Sequence, residues 1–196
     1  MILAVLLRLA RALDGVPVLA LGWLARLVPR GEARQRGVCH VIHSLGLGGG
    51  QRQFLAFARC RDQRDATFVS LTDTDGPFSA TVDEVGVVQL YRAFRRNIVT
   101  HGLAYLFPHP ALTLALYGRL RRERPRCVWG WLFLANVVAA PAARLAGVGR
   151  VIVRVENMSA WKRWPPHRRW WNRWADGNAA RLADVVVVNA AALVDD

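Results

Sequence analysis

Six short apolar runs, rich in valine and isoleucine, constrain this chain more than any other feature. They are Val38–Ser44, Ala66–Leu71, a weaker one at Val87–Tyr91, Cys127–Trp131, Val151–Val155 and Asp184–Asn189. Helices are expected between them at Gly50–Cys60, Ala111–Arg122, Leu134–Leu145 and about His167–Leu182. Pro125 stops the second of these, and Gly147 with Gly149 stops the third. A strand with one wet face alternates apolar and polar residues, whereas a continuous branched apolar run is covered on both faces. Buried strands joined through helices specify a parallel sheet between two helical layers, an α/β, Rossmann-like fold. Ligands in such folds collect at the C-terminal ends of the strands. Here those ends are Ser44–Gly50, Trp129–Asn136, Arg154–Ser159 and Asn189.

The first of these ends is the richest. Val38–Arg59, VCHVIHSLGLGGGQRQFLAFAR, reads as a buried strand, a glycine-rich turn and the opening of an amphipathic helix. Backbone N–H groups and the positive end of a helix dipole converge at such a junction, and glycines let a phosphate come close. The spacing of Gly46, Gly48, Gly49 and Gly50 does not fit G-x-G-x-x-G, and no Lys-Ser/Thr follows. The glycines alone are equally compatible with a tight turn that binds nothing.

Composition narrows the partners. The net charge is +13, from 27 basic and 14 acidic side chains, and Lys162 is the one lysine among them. This arginine bias, together with abundant Ala, Gly and Val, is what a GC-rich genome produces. The arginines are spread along the chain and no nucleic-acid motif appears, so a nucleic-acid partner is not expected. Cys39, Cys60 and Cys127 are scattered, without metal-ligand or redox spacing. An odd, dispersed set of this kind points to reduced thiols in a cytoplasmic protein.

Two segments suggest a surface. Residues 1–36 form an apolar and basic leader, and its opening 30 residues are broken by Arg8, Arg11, Asp14, Pro17 and Arg26. The longest uncharged run falls well short of the roughly 18 residues of a transmembrane helix. No signal-peptide cleavage site follows. Leu3, Leu6, Leu7 and Ala10 against Arg8 and Arg11 fit a basic amphipathic helix. It would lie peripherally on the anionic inner face of the cell membrane, or else pack on the domain. Trp161–Trp174, WKRWPPHRRWWNRW, interleaves tryptophans with basic residues and suits a membrane interface or a lipid-linked ligand. Packing against another domain is the alternative.

Three stretches in order carry a family resemblance: HVIHSLGLGGGQRQFLAFA, then ERPRCVWGWLFLANVVAAPAARLAGVGRVIVRVENM (Glu123–Met158), then RLADVVVVNAAALVDD (Arg181–Asp196). They resemble the first strand with its G-G-A-E-R-type loop, the W-L-x-x-A-N and A-A-R-L-A-G-V segments, and the closing A-D-x-V-V-x-N-S strand of retaining glycosyltransferases of family 4. The resemblance spans residues 37–196 and implies the N-terminal, acceptor-binding half of a GT-B enzyme. Such an enzyme moves a sugar from a nucleotide-sugar to a glycan or lipid-linked acceptor and needs no metal or other cofactor. The family's C-terminal domain binds most of the donor and carries E-x7-E, and nothing in this sequence corresponds to it. The chain alone is therefore expected to be inactive and to regain activity with a matching donor domain. A non-catalytic, membrane-surface remnant or split subunit is the alternative.

Under that resemblance Gly48, Gly49, Gly50 and Arg52 would hold the donor diphosphate, with Gln51 standing where the family usually has Glu. The strand ends supply the remaining candidates. His43, near the end of the first strand, is a candidate ligand contact, while His40, on the opposite face, reads as a core histidine. Trp131 could stack on a sugar and Asn136 could bond its hydroxyls or cap a helix. Arg154 and Asn157 would recognise acceptor hydroxyls, with Glu156 a candidate catalytic base. An ion pair or a cap is the other reading of these three. Asp73, Thr74 and Asp75 read as a solvated turn rather than a metal loop.

Overall fold

The computed structural model describes residues 15–29, 37–60, 65–72, 78–91, 108–155 and 166–189. Six parallel strands form one sheet: β1 (Val38–Ile42), β2 (Ala66–Ser70), β3 (Val88–Gln89), β4 (Cys127–Trp131), β5 (Arg150–Val155) and β6 (Val185–Val188). Their spatial order is β3-β2-β1-β4-β5-β6. The helices are α1 (Gly15–Leu27), α2 (Gly49–Ala58), α3 (Ser79–Glu84), α4 (Pro108–Glu123), α5 (Phe133–Leu145) and α6 (Pro166–Leu182). The architecture is the expected Rossmann-like α/β fold.

The apolar runs are continuous because each face of the sheet has its own helical layer. Cys39, Val41, Val69, Val128, Val151 and Val153 bury one face beneath α4, α5 and α6. Ile42, Phe68 and Trp131 bury the other against Phe54 and Leu55 of α2 and Val82 of α3. Helix α5 carries the larger layer. Its alanines and Val138 are almost wholly buried, and small side chains let the helix lie close on β4 and β5. It ends as the sequence requires. Gly147 takes the left-handed φ of 73°, its N–H bonds the Arg144 carbonyl at 3.0 Å, and the Val148 N–H bonds Ala143 at 3.0 Å. That pair of bonds is the Schellman arrangement.

Several elements depart from expectation. Helix α4 begins at Pro108 and ends at Glu123, because Arg124 already turns left-handed at φ 50°. A residue preceding proline is pushed out of the helical region, so Pro125 acts one residue ahead of itself. The strand at 87–91 shrinks to Val88–Gln89. The last strand, expected to be buried, is the outermost strand on its side among the described residues, and Val185 and Val186 are exposed. Helix α1 packs on α4, α5 and α6, with Ala25 in the core and Val18 against Val137 and Ala175. The expected amphipathic stretch in residues 1–14 lies outside the described residues, as do Trp161 and Trp164. Trp171, from the tryptophan-rich segment, packs against the Val18 cluster. Among the described residues no helix is long and apolar enough to cross a membrane.

One ion pair ties the larger layer together. Arg144 of α5 is buried; its Nε–H donates to the Leu182 carbonyl at 2.7 Å and its Nη2 pairs with Asp184 at 2.8 Å. The other Asp184 oxygen accepts the Val151 N–H at 2.8 Å. Removing one partner of a buried pair strands the other charge, at a cost of about 3–5 kcal/mol. Arg144→Ala should therefore remove a large part of the folding free energy. Urea unfolding followed by circular dichroism measures it.

Candidate functional site

The order of the strands reverses between β1 and β4, so the connections leaving these two neighbours run to opposite faces and leave a crevice between them. Ile42 lies beside Trp131 in register, and just beyond them the chain enters α2 on one side and α5 on the other. Both helices start without a side-chain cap. Gly48 precedes α2 in an extended conformation, Leu132 precedes α5, and neither first turn carries an acidic residue. The first-turn N–H groups of two helices thus open at one end of the sheet with no side chain capping them.

Leu132 was not singled out by its sequence. Its φ of 72° and ψ of 158° fall in a region that only glycine occupies freely. Such a conformation costs about 1–3 kcal/mol and tends to occur at functional junctions. The loop glycines show the converse. None of Gly46, Gly48, Gly49 or Gly50 has a left-handed φ. A Cβ at Gly46 or Gly49 would meet open space, and at Gly48 it would meet only the Gln51 carboxamide. Gly130, which was not anticipated, is fixed by packing, because the Asn136 side chain occupies the space of its Cβ.

The arginine of the site is well braced. Arg154, at the end of β5, lies over the Trp131 ring at 4.6 Å, and its Nη2 donates to Gln53 Oε1 on α2. Arg52 stands exposed in the first turns of α2, its N–H bonded to the Gly48 carbonyl at 3.2 Å. Leu47, 74% exposed, projects from the same loop.

Two candidates act beneath the site rather than within it. Trp131 is 3% exposed and roofed by Arg154, so its ring is a floor for the guanidinium and not a platform for a sugar. Asn136 is 1% exposed and lies beyond the cap position, which Leu132 holds. Its Nδ2 donates to the Arg154 carbonyl at 2.9 Å, tethering β5 to α5, while its Oδ1 is buried without a hydrogen-bond partner. Glu156 and Asn157 lie outside the described residues, as do Asp73, Thr74 and Asp75.

His40 lies within β1 and His43 one residue past its end. His40 is buried among Phe57, Phe68, Trp129 and Trp131. Its Nδ1 accepts the Trp131 indole N–H at 3.2 Å, which assigns the neutral ring's proton to Nε2. Burial lowers its pKa to about 4. His43 is half-buried, and its carbonyl is held by the Thr72 N–H and hydroxyl, each at 2.9 Å. Burial, and then His109 at the start of α4, lower its pKa to about 4. It is therefore neutral at pH 7 and can offer a hydrogen bond but not a positive charge. Cys39 and Cys127 are buried, and burial raises both thiol pKa values, that of Cys39 to about 12. Among the described residues no three His, Cys, Asp or Glu side chains come together to hold a metal.

No protein-family model and no curated protein matches the chain. The class defined by the fold is a Rossmann-like α/β domain with its strand-order switch point between β1 and β4.

Two measurements check this geometry. His40 in the unfolded chain takes up a proton near pH 6.5, and in the folded chain only near 4. Its contribution is complete above about pH 6.5 and is lost as pH falls toward 4, amounting to roughly 3 kcal/mol at about 1.4 per pH unit. His43 acts in the same direction, so His40→Gln should make the acid limb of a urea-midpoint profile shallower without abolishing it. Separately, Gly130→Ala should destabilise the fold by about 1–3 kcal/mol through overpacking. Gly49→Ala should leave the thermal midpoint unchanged or raise it.

Proposed function

We propose that this chain is the acceptor-binding half of a retaining, nucleotide-sugar-dependent glycosyltransferase resembling family 4. One observation carries the reading: Gly46 and Gly49 lie at the switch point, and neither backbone conformation nor packing requires their smallness. Gly49 and Gly50 open a helix, where glycine costs about 0.5–1 kcal/mol against alanine. A ligand that must approach the backbone closely accounts for that cost. The donor diphosphate is such a ligand. Its oxygens would accept from the first amides of α2, with Arg52 and Arg154 supplying positive charge. As the sugar leaves, negative charge grows on the diphosphate, and fixed donors stabilise it without reorganising.

The acceptor would lie on the other side of the transferred sugar. His43, neutral and with its backbone carbonyl held by Thr72, would be available to a hydroxyl. Glu156 and Asn157 enter the proposal through their position in the sequence after Arg154, with Glu156 as the candidate base. Trp131 and Asn136 serve by holding Arg154 and the end of β5. The nucleotide-sugar is a substrate, and the proposal requires no other cofactor.

Calorimetric titration of the full chain with UDP-glucose, GDP-mannose, the free nucleoside diphosphates and inorganic phosphate tests the reading. Saturable binding that requires the diphosphate is expected, and Gly49→Val should weaken it roughly tenfold or more while the thermal midpoint holds, since the new side chain enters the phosphate's space. Binding unaffected by Gly49→Val, or no binding by any of these compounds, would overturn it.

A further inference from the structure

Helix α1 is apolar on two opposite sides. Val18, Gly22 and Ala25 are buried against the helical layer beneath. Val16, Trp23, Leu24 and Leu27 are 52, 59, 47 and 64% exposed, and Ala20 is exposed between them. At about 100° per residue the exposed set falls within an arc roughly 100° wide, centred opposite the buried set. The helix is therefore a ridge, seated on α4, α5 and α6 and crested by a tryptophan and two leucines.

The charge exposed on the helices of this layer is one-sided. Arg26 on α1, Arg121 and Arg122 on α4, and Arg173 and Arg181 on α6 are exposed. The acidic residues on the same three helices are Glu123, engaged by Arg119, and the half-buried Asp176. On the other face of the sheet, α2 and α3 expose Arg52 alongside Asp83 and Glu84. Among the described residues, one helical layer is thus strongly basic and bears the apolar ridge, while the other is close to neutral.

We infer that α1 docks this face on an anionic lipid bilayer, lying in the interface with Trp23, Leu24 and Leu27 among the upper acyl chains. A second copy of the chain fits poorly, because pairing this face with itself would oppose two sets of arginines. A ridge with a tryptophan crest, flanked by arginines whose stems can lie along apolar surface, matches the polarity gradient of a lipid headgroup layer. Neither the glycine loop nor a nucleotide takes part, so this inference stands or falls separately from the proposed reaction.

Co-sedimentation of the full chain with vesicles tests it, using phosphatidylcholine alone and phosphatidylcholine with roughly 30% phosphatidylglycerol. Binding to the anionic vesicles, weakened by high salt, is expected. The double variant Trp23→Ser/Leu27→Ser should lose roughly tenfold or more of that partitioning while keeping its thermal midpoint, because both side chains are already in water. Arg59→Gln, on the opposite layer, should bind as the unaltered chain does. Full binding by the double variant would assign the affinity to another segment and overturn the inference. So would failure of the unaltered chain to bind. A concentration-dependent dimer abolished by the double variant, or capture of an acidic protein in place of vesicles, would overturn it in favour of a protein partner.

Discussion

The reversal of strand order between β1 and β4 is the constraint from which the rest of this molecule follows. Parallel strands can be joined only by crossing over a face of the sheet, and right-handed crossovers fix which face. Once the chain has run β1, β2, β3 in one direction and β4, β5, β6 in the other, α2 and α5 must leave adjacent strands toward opposite layers. Their amino ends then flank a gap that no element of the sheet can fill. Backbone amides, a dipole from each side and a glycine surface meet there as a consequence of connectivity.

Buried side chains brace the groups around that gap. Arg154 reaches the crevice over a floor formed by Trp131, and Trp131 is held in turn by His40. From the opposite layer Asn136 holds the backbone of the same arginine. The closeness of α5 to β4 that makes this bond available depends on Gly130 having no side chain. Farther from the site, Arg144 and Asp184 lock α5, α6 and β5 at the other end of the strands. Polar groups in both places are buried, and their partners come from elements distant in sequence.

That distance explains what could and could not be read beforehand. Runs such as Cys127–Trp131 announce a strand because branched and aromatic residues covered on both faces leave no alternation. Gly147 announces a helix end because only glycine sits easily at positive φ. Val185 and Val186 are exposed where burial is expected, since a four-valine run looks the same at the centre and at the rim of a sheet, and its place depends on the order of all the strands. The position of Trp131 at a strand end is legible in the sequence, but its pairing with His40, 91 residues away, is not. Leu132, within the W-L-x-x-A-N stretch, gives no conformational signal. Leucine marks no turn, and its strained conformation is imposed by the elements on either side of it.

The open rim at β6 has a kinetic consequence. β1 and β4 are hydrogen-bonded on both sides and buried under both layers, whereas β6 among the described residues is bonded only to β5 and carries two exposed valines. Protection of backbone amides against hydrogen exchange follows such differences, because local opening frees a rim strand without disturbing the centre. The sheet therefore has a gradient of opening free energies, highest at the two strands that bear the crevice and falling toward β3 on one side and β6 on the other. Fluctuations collect at the margins, and the glycine loop is anchored on the part of the molecule that opens last.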